Sequence, residues 1–299
     1  MSQRDVKNRI ASVKNVQKIT RAMETVAAAR LRRAEQRIVH LRPYANALRR
    51  MTRQAAAAAG SEISRLPLLR ADDGSGSVGL LLLTGDRGLA GAFNSQIIRA
   101  GVHAGNELEA AGRTPVWFAA GRRGISSLTF RGKELAGQWG GFTDRPSYAD
   151  ARAIADDLMT AHIDGKVDRV EVLYNAFISP LTQRATRETL LPLIEATVLG
   201  DEELPQDSAA PGPRALVEYE PEPEAILRRL IPDYVEISIY RALLESTASE
   251  HGARMTAMRS ASENAGELID DLTLEMNRAR QAEITQEIME VVAGAESLI

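Results

Sequence analysis

The 299-residue chain is 44% hydrophobic but only 4% aromatic, lacks cysteine altogether and carries a formal net charge of −3. Its length suffices for one large or two ordinary domains, the missing cysteine excludes disulfides and thiolate chemistry, and the four histidines (His40, His103, His162, His251) form no metal-type pair. No stretch approaches the roughly 18 apolar residues of a membrane span, and the opening MSQRDVKNRI has no apolar signal core, so any membrane association is expected to be indirect.

The first segment opens on Ser2-Gln3-Arg4-Asp5, a serine with an acid three residues on, which suits a helix start. No glycine follows until Gly60, and Pro43 is the first proline, placed where it should bend the helix. Apolar side chains recur at Val6, Ile10, Val13, Val16, Ile19, Met23, Val26, Leu31, Ala34, Ile38, Leu41, Ala45 and Leu48, in steps of three and four with one five. That spacing predicts a helix over 1–59, about 80 Å long, with a seam for a partner helix.

A linker, 60–77, leads to an alternating region, 78–199. Val78–Thr84 and Val116–Ala120 read as buried strands, Asn94–Ala111 and Tyr148–Ile163 as helices, and Arg169–Ile178 with Arg184–Leu193 as a late antiparallel strand pair. Such alternation predicts a small α/β sheet domain of Rossmann-like type. An acidic, proline-rich connector, 200–222, follows it.

The last segment, 223–299, mirrors the first. Pro232-Asp233 with Glu236 supplies a helix cap. Ile237, Tyr240, Leu244, Met258, Ala261, Ala265, Leu268, Leu272, Ala279, Ala282 and Met289 fall on one heptad seam, interrupted by Thr247, His251 and Arg254. Residues 1–59 hold 14 basic and 3 acidic side chains, whereas 233–299 hold 5 basic and 13 acidic ones. Opposite charge and matching periodicity predict that the two arms wind around each other as an antiparallel coiled coil, joined through the α/β domain.

One stretch tests for nucleotide chemistry. LLLTGDRGLAGAFN (81–94) is a strand running into a glycine-rich loop and a helix, where phosphates are often cradled. A Walker loop, however, needs G-x-x-x-x-G-K-[ST], and a dinucleotide loop needs its first two glycines two apart. Gly85, Gly88 and Gly91 are three apart with no lysine after them, so they are expected to build a tight strand-to-helix turn without a nucleotide. No nucleophile elbow is present; Asp270, Asp271 and Glu275 fit a solvated helix face. Neither catalytic residues nor a cofactor or metal site is expected. The basic arm raises nucleic-acid binding as an alternative, that of a coiled-coil scaffold with an α/β head. No aromatic platform for bases accompanies it, and an acidic protein surface would satisfy the same charges.

Several of these stretches, SVKNVQKITRAMETVAAARLRRA (12–34), LTGDRGLAGAFN (83–94), YNAFISPLTQ (174–183), VEISIYRALLESTASEH (235–251) and ITQEIMEVVAGAES (284–297), closely resemble the gamma-subunit family of rotary F-type ATP synthases, in order along the chain. The resemblance implies a non-catalytic shaft inside a ring of three alpha and three beta subunits. Its α/β domain would sit beside the epsilon subunit and on the membrane c-ring, so that proton-driven rotation cycles the beta subunits through ATP synthesis. It also implies a place on the cytoplasmic face of a bacterial plasma membrane. The redox-regulatory cysteine insert of chloroplast members is missing.

By the same resemblance, Arg280, Gln281 and Thr285 would meet a beta-subunit loop, and Arg30, Arg32 and Arg33 an acidic beta segment. Met23 would face Arg280, Gln281 and Thr285, and Ile10 the neighbourhood of Ala293, so that facing residue numbers add to roughly 303. Leu31, Ile38, Met258, Leu268 and Leu272 would complete the helix–helix register.

Overall fold

A computed structural model describes residues 3–59, 66–69, 72, 74, 76–193 and 220–296. Residues 200–219 of the connector and most of the linker 60–77 lie outside the described residues. Two long helices, α1 (Gln3–Ala59) and α5 (Pro223–Glu296), flank a central region. That region runs, after a short 3-10 turn at Pro67–Leu69, through β1 (Ser77–Leu83), α2 (Phe93–Ala110), β2 (Thr114–Ala120), α3 (Arg122–Phe130), β3 (Leu135–Trp139), α4 (Tyr148–Ile163), β4 (Arg169–Ser179) and β5 (Thr182–Leu191). The expected α/β class with long terminal helices is the class observed. The chain divides into two compact units, Arg30–Ala253 and Met1–Ala29 with Arg254–Ile299.

The larger unit holds a five-stranded sheet in the order β3-β2-β1-β4-β5, parallel except for the antiparallel pair β4–β5. Side chains alternate across β1: Val78, Leu80 and Leu82 face one layer with Ile97, Ala104 and Leu128 of α2 and α3. Leu81 and Leu83 face the other, with Ile154 and Leu158 of α4 and Leu227, Val235 and Ile239 of α5. Both faces are covered, which is why these strands read as continuous apolar runs rather than as alternations.

Two elements escaped the sequence reading. Helix α3, RRGISSLTF, has weak helix formers, yet Gly124 packs on Thr84 and its N–H donates to Thr84 Oγ1 at 2.9 Å. Tertiary contact overrides propensity there. Strand β3, LAGQW, lies at the sheet edge with no fully buried residue, so it gives no burial signal. Helix α5 also starts ten residues before the expected cap at Asp233, with Pro232 inside it. Burial of Leu227 and Ile231 on the sheet layer offsets the hydrogen bond the proline removes.

The smaller unit is an antiparallel pair of helical segments. Val6, Ile10 and Leu272 form its buried cluster, with Val13, Ile269 and Met276 packed against it. Gln17 Nε2 donates to the Ser262 carbonyl at 3.2 Å, Arg259 Nε to Glu24 Oε1 at 2.8 Å, and the Gln3 N–H to Glu283 Oε1 at 3.3 Å. Facing residue numbers therefore add to about 280, and the register of roughly 303 is corrected by about three heptads. A shift of whole heptads leaves an apolar seam apolar, so periodicity cannot choose among registers; the polar contacts do. Met23 accordingly lies level with the region of Arg259, not Arg280, and Ile10 meets Leu272 rather than the region of Ala293.

The seam itself is also corrected. Met258, Ala265 and Leu272 are buried, but Leu268 is 39% exposed, and Ile269 takes its place. On α1, Val16, Ile19 and Val26 are exposed, whereas Thr20 and Ala27 are buried.

Candidate functional site

The glycine loop joins the carboxyl end of β1 to α2, the position where parallel α/β sheets bind ligands. Here protein groups fill it. The Asp86 carboxylate accepts from the N–H groups of Arg122 (3.0 Å), Gly141 (2.9 Å) and Thr143 (3.0 Å) and from Thr143 Oγ1 (3.0 Å). Burial pushes this carboxyl up, but the N–H donors from Gly141, Thr143 and Arg122 outweigh it and hold the pKa below its ordinary value. An external anion at the start of α3 would have to displace this internal one.

Glycines are needed for two distinct reasons. At Gly85 a Cβ would lie 2.9 Å from the carboxyl carbon of buried Glu250 of α5, so it is the place of that carboxylate over the loop that requires its absence. Gly91 takes φ 55°, the left-handed region. At Gly88 a Cβ would meet only the end of the Arg123 side chain. Exposed Leu89 also adopts φ 61°, an uncommon state for a residue with a side chain.

The crevice between β1 and β4, where strand order reverses, is occupied by one turn of α5. Ser246, Thr247, Ser249, Glu250 and His251 are all buried. Thr247 Oγ1 donates to the Thr143 carbonyl (2.9 Å), Ser249 Oγ to the Asn175 carbonyl (2.9 Å), and His251 Nε2 lies 3.4 Å from the Asp144 carbonyl. The sequence signal is the polar run ESTASEH inside a long helical pattern, which interrupts the apolar seam. Nearby, the Arg241 guanidinium binds Glu188 (2.6 Å) and Glu245 (3.2 Å), while burial pushes the Glu245 carboxyl above its ordinary value against the pull of Arg241. These groups are bonded to one another, and among the described residues no cluster suits a metal ion.

The residues expected to meet partners are surface residues. Arg32 and Arg33 are exposed; Arg30 is committed to Asp144 at 2.5 Å. Leu31 is buried and Ile38 half-buried on α1. From Arg280 to Val291 every side chain is exposed, so Arg280, Gln281 and Thr285 share a solvent-exposed helical stretch with Ile284 and Ile288, well away from Met23. Asp270, Asp271 and Glu275 are exposed as a solvated face. The Glu24–Arg259 bridge sets an acid of the basic arm against a base of the acidic one, so this pair runs opposite to the arms' net charges. No helix among the described residues is long and apolar enough to cross a membrane.

Comparison with known proteins places these features. The family model for ATP synthase matches residues 2–298. The ATP synthase gamma chain of Rubrobacter xylanophilus is 44% identical over 297 residues, covering 99% of this chain and 98% of that one. The gamma chain of Moorella thermoacetica is 43% identical over 295 residues, with 99% and 98% covered. Among solved structures, a central stalk/c-ring chain of the Tetrahymena thermophila mitochondrial ATP synthase aligns with TM-score 0.60 and 26% identity, covering 82% of this chain and 99% of that one. A rotor chain of the Euglena gracilis enzyme shares the fold, with TM-score 0.65 and 19% identity over 94% and 98%.

Proposed function

The chain belongs to the ATP synthase gamma-chain family, and from that premise we propose that it is the rotating shaft of the central stalk, coupling c-ring rotation to the catalytic cycle of the beta subunits. The observation that carries this reading is full-length relatedness to gamma chains joined to a paired-helix unit and a filled glycine loop. A shaft needs long helices that resist bending. It needs no catalytic groups, and its ligand crevice can be given over to fastening α5. Non-catalytic status, one copy per three alpha and three beta subunits, contact with epsilon and the c-ring, and a place on the cytoplasmic face of the plasma membrane follow as parts of the same proposal. The domain limits 1–59, 60–77, 78–199, 200–222 and 223–299 belong to it too.

Within that reading, Arg280, Gln281 and Thr285 meet a beta-subunit loop from the exposed stretch of α5, and Arg32 and Arg33 are better placed than Arg30 to meet an acidic segment. Exposure of these side chains supports the assignment. No observation favours the nucleic-acid alternative.

The deciding experiment is native mass analysis of the complex that a tagged copy brings down from host membranes. Three copies each of two large subunits with one tagged chain are expected. A lone chain or a homodimer, under conditions that keep known assemblies intact, would overturn the proposal.

A further inference from the structure

On the larger unit, α1, the segment between β3 and α4, and α5 enclose a cleft of ≈ 470 Å³. That volume is within the usual range for small-ligand sites, roughly 300–1,000 Å³. Arg30, Arg33 and Arg37 reach it from one face of α1, spaced three and four apart. Arg145 reaches it from the opposite wall, and Leu244, Thr247 and His251 of α5 also line it.

Charge within this cleft is unbalanced. Its one carboxylate, Asp144, is already bound by Arg30 at 2.5 Å and lies 4.0 Å from Arg87. Arg33, Arg37 and Arg145 have no ion-pair partner among the described residues. Three guanidinium groups lining one cleft without a counter-charge repel one another, and an anion held there relieves the repulsion. Asp144 shows from within the chain that an oxyanion is accepted at one end of the cleft.

We propose that this cleft binds a compact polyanion of the phosphate class, the phosphate chain of inorganic tripolyphosphate or of a nucleotide. Guanidinium forks match phosphate and carboxylate oxygens two at a time, so the number of charges in one body, rather than the fork, selects the ligand. Three unpaired cations call for three or more negative charges in one small body, and a phosphate chain supplies them. The cleft is distinct from the glycine loop, whose donors Asp86 already occupies. Arg33 is shared with the shaft reading, which turns it towards an acidic beta segment, so the test rests on Arg37 and Arg145, which that reading does not use.

The test is calorimetric titration of the purified full chain with tripolyphosphate at about 50 mM salt, where screening is modest. Saturable one-to-one binding is expected. Arg37→Gln and Arg145→Gln should each weaken it about tenfold, the loss of one charge-assisted hydrogen bond. Arg37→Lys, which keeps the charge but loses the planar fork, should recover only part of the affinity, and Arg131→Gln, outside the cleft, should change nothing. Arg145 lies outside the helices, so its variant tests the site even if Arg37→Gln lowers helix content by circular dichroism.

ATP binding as tightly as tripolyphosphate would identify the phosphate chain alone as the recognised group. Tighter ATP binding, with the same sensitivity to Arg37 and Arg145, would identify a nucleotide as the source. The proposal is overturned by absence of saturable binding, or by equal losses with Arg131→Gln and Arg37→Gln. It is likewise overturned if a hexaglutamate peptide displaces tripolyphosphate at lower concentration than ATP does, which would mark an acidic-protein surface instead.

Discussion

In the larger unit, α5 is held against the sheet by bonds that admit one position: Thr247 to the Thr143 carbonyl, Ser249 to the Asn175 carbonyl, and Glu250 over Gly85. In the smaller unit, the same helix meets α1 through a repeating apolar seam and a few surface bonds. Sliding α5 by one residue in the first would strand several buried polar groups, each costing about 1–3 kcal/mol. Sliding by a heptad in the second exchanges one apolar contact for another. The first arrangement fixes position, and the second supplies stiffness with weaker specification. For a chain proposed to transmit torque, that division puts the fixed grip in the head and leaves the paired stretch comparatively featureless.

The largest effect should come from the tightest backbone approach within the larger unit. Gly121 caps α3 at φ 100°, and a Cβ there would overlap the Thr84 carbonyl oxygen. Gly121→Ala is expected to destabilise the larger unit by about 4 kcal/mol, combining strain with overlap. Chemical denaturation followed by tryptophan fluorescence would measure it, since Trp117 and Trp139 both lie in this sheet. A loss below about 1 kcal/mol would mean that the loops around Thr84 yield easily, and the contrast between the units would fail.

Next comes Asp86, whose removal leaves three backbone N–H groups without their acceptor. Asp86→Ala should cost about 2–4 kcal/mol. The group also carries a pH signature. Its pKa is lowered in the folded chain from an ordinary 3.8, so its stabilisation is complete well above that value. It is lost as pH falls through the lower folded value. Asp86→Asn should therefore flatten the stability profile below about pH 4. An unchanged acid limb in that variant would show that another carboxyl controls it.

A smaller effect separates the two readings of the seam. Leu272 is buried against Val6 and Ile10, and Leu268 faces solvent. Leu272→Ala should cost about 2 kcal/mol, and Leu268→Ala less than about 0.5 kcal/mol. The reverse order would restore the seam read from periodicity.

That seam shows where sequence reasoning stops. The two long helices, the paired parallel strands and the antiparallel β4–β5 pair are legible because apolar spacing directly reflects burial. Helix α3 was not, because its stability comes from Gly124 meeting Thr84, a contact forty residues apart in the chain. Asp86 lay in plain view within LTGDRGLAGAFN, yet its role depends on N–H groups of three other positions. Glu250 gave a better clue: an acid inside ESTASEH, in a long helix, asks for a buried partner. In the paired unit the failure was one of degeneracy. Val16, Ile19 and Val26 are as apolar as a seam requires, but Gln17, Thr20 and Glu24 sit on the facing side, and composition alone favours the wrong three.

The smallest predicted effect bears most directly on that degeneracy. Glu24 and Arg259 are partly exposed, so their bridge should couple by only about 0.5 kcal/mol in a double-mutant cycle. Small as it is, this term and the Gln17–Ser262 bond distinguish registers that the apolar seam leaves nearly equal. Geometry can be read apart from energy, because the chain has no cysteine of its own. Ile10→Cys with Leu272→Cys, whose native side chains pack in one buried cluster, should cross-link more readily under mild oxidation than Met23→Cys with Arg280→Cys. A disulfide in the second pair would place the helices three heptads from the register described here, and with it would return Met23 to the neighbourhood of Arg280. Cross-linking in both pairs would mean that the two registers exchange, and that the grip in the larger unit does not extend its control along the paired helices.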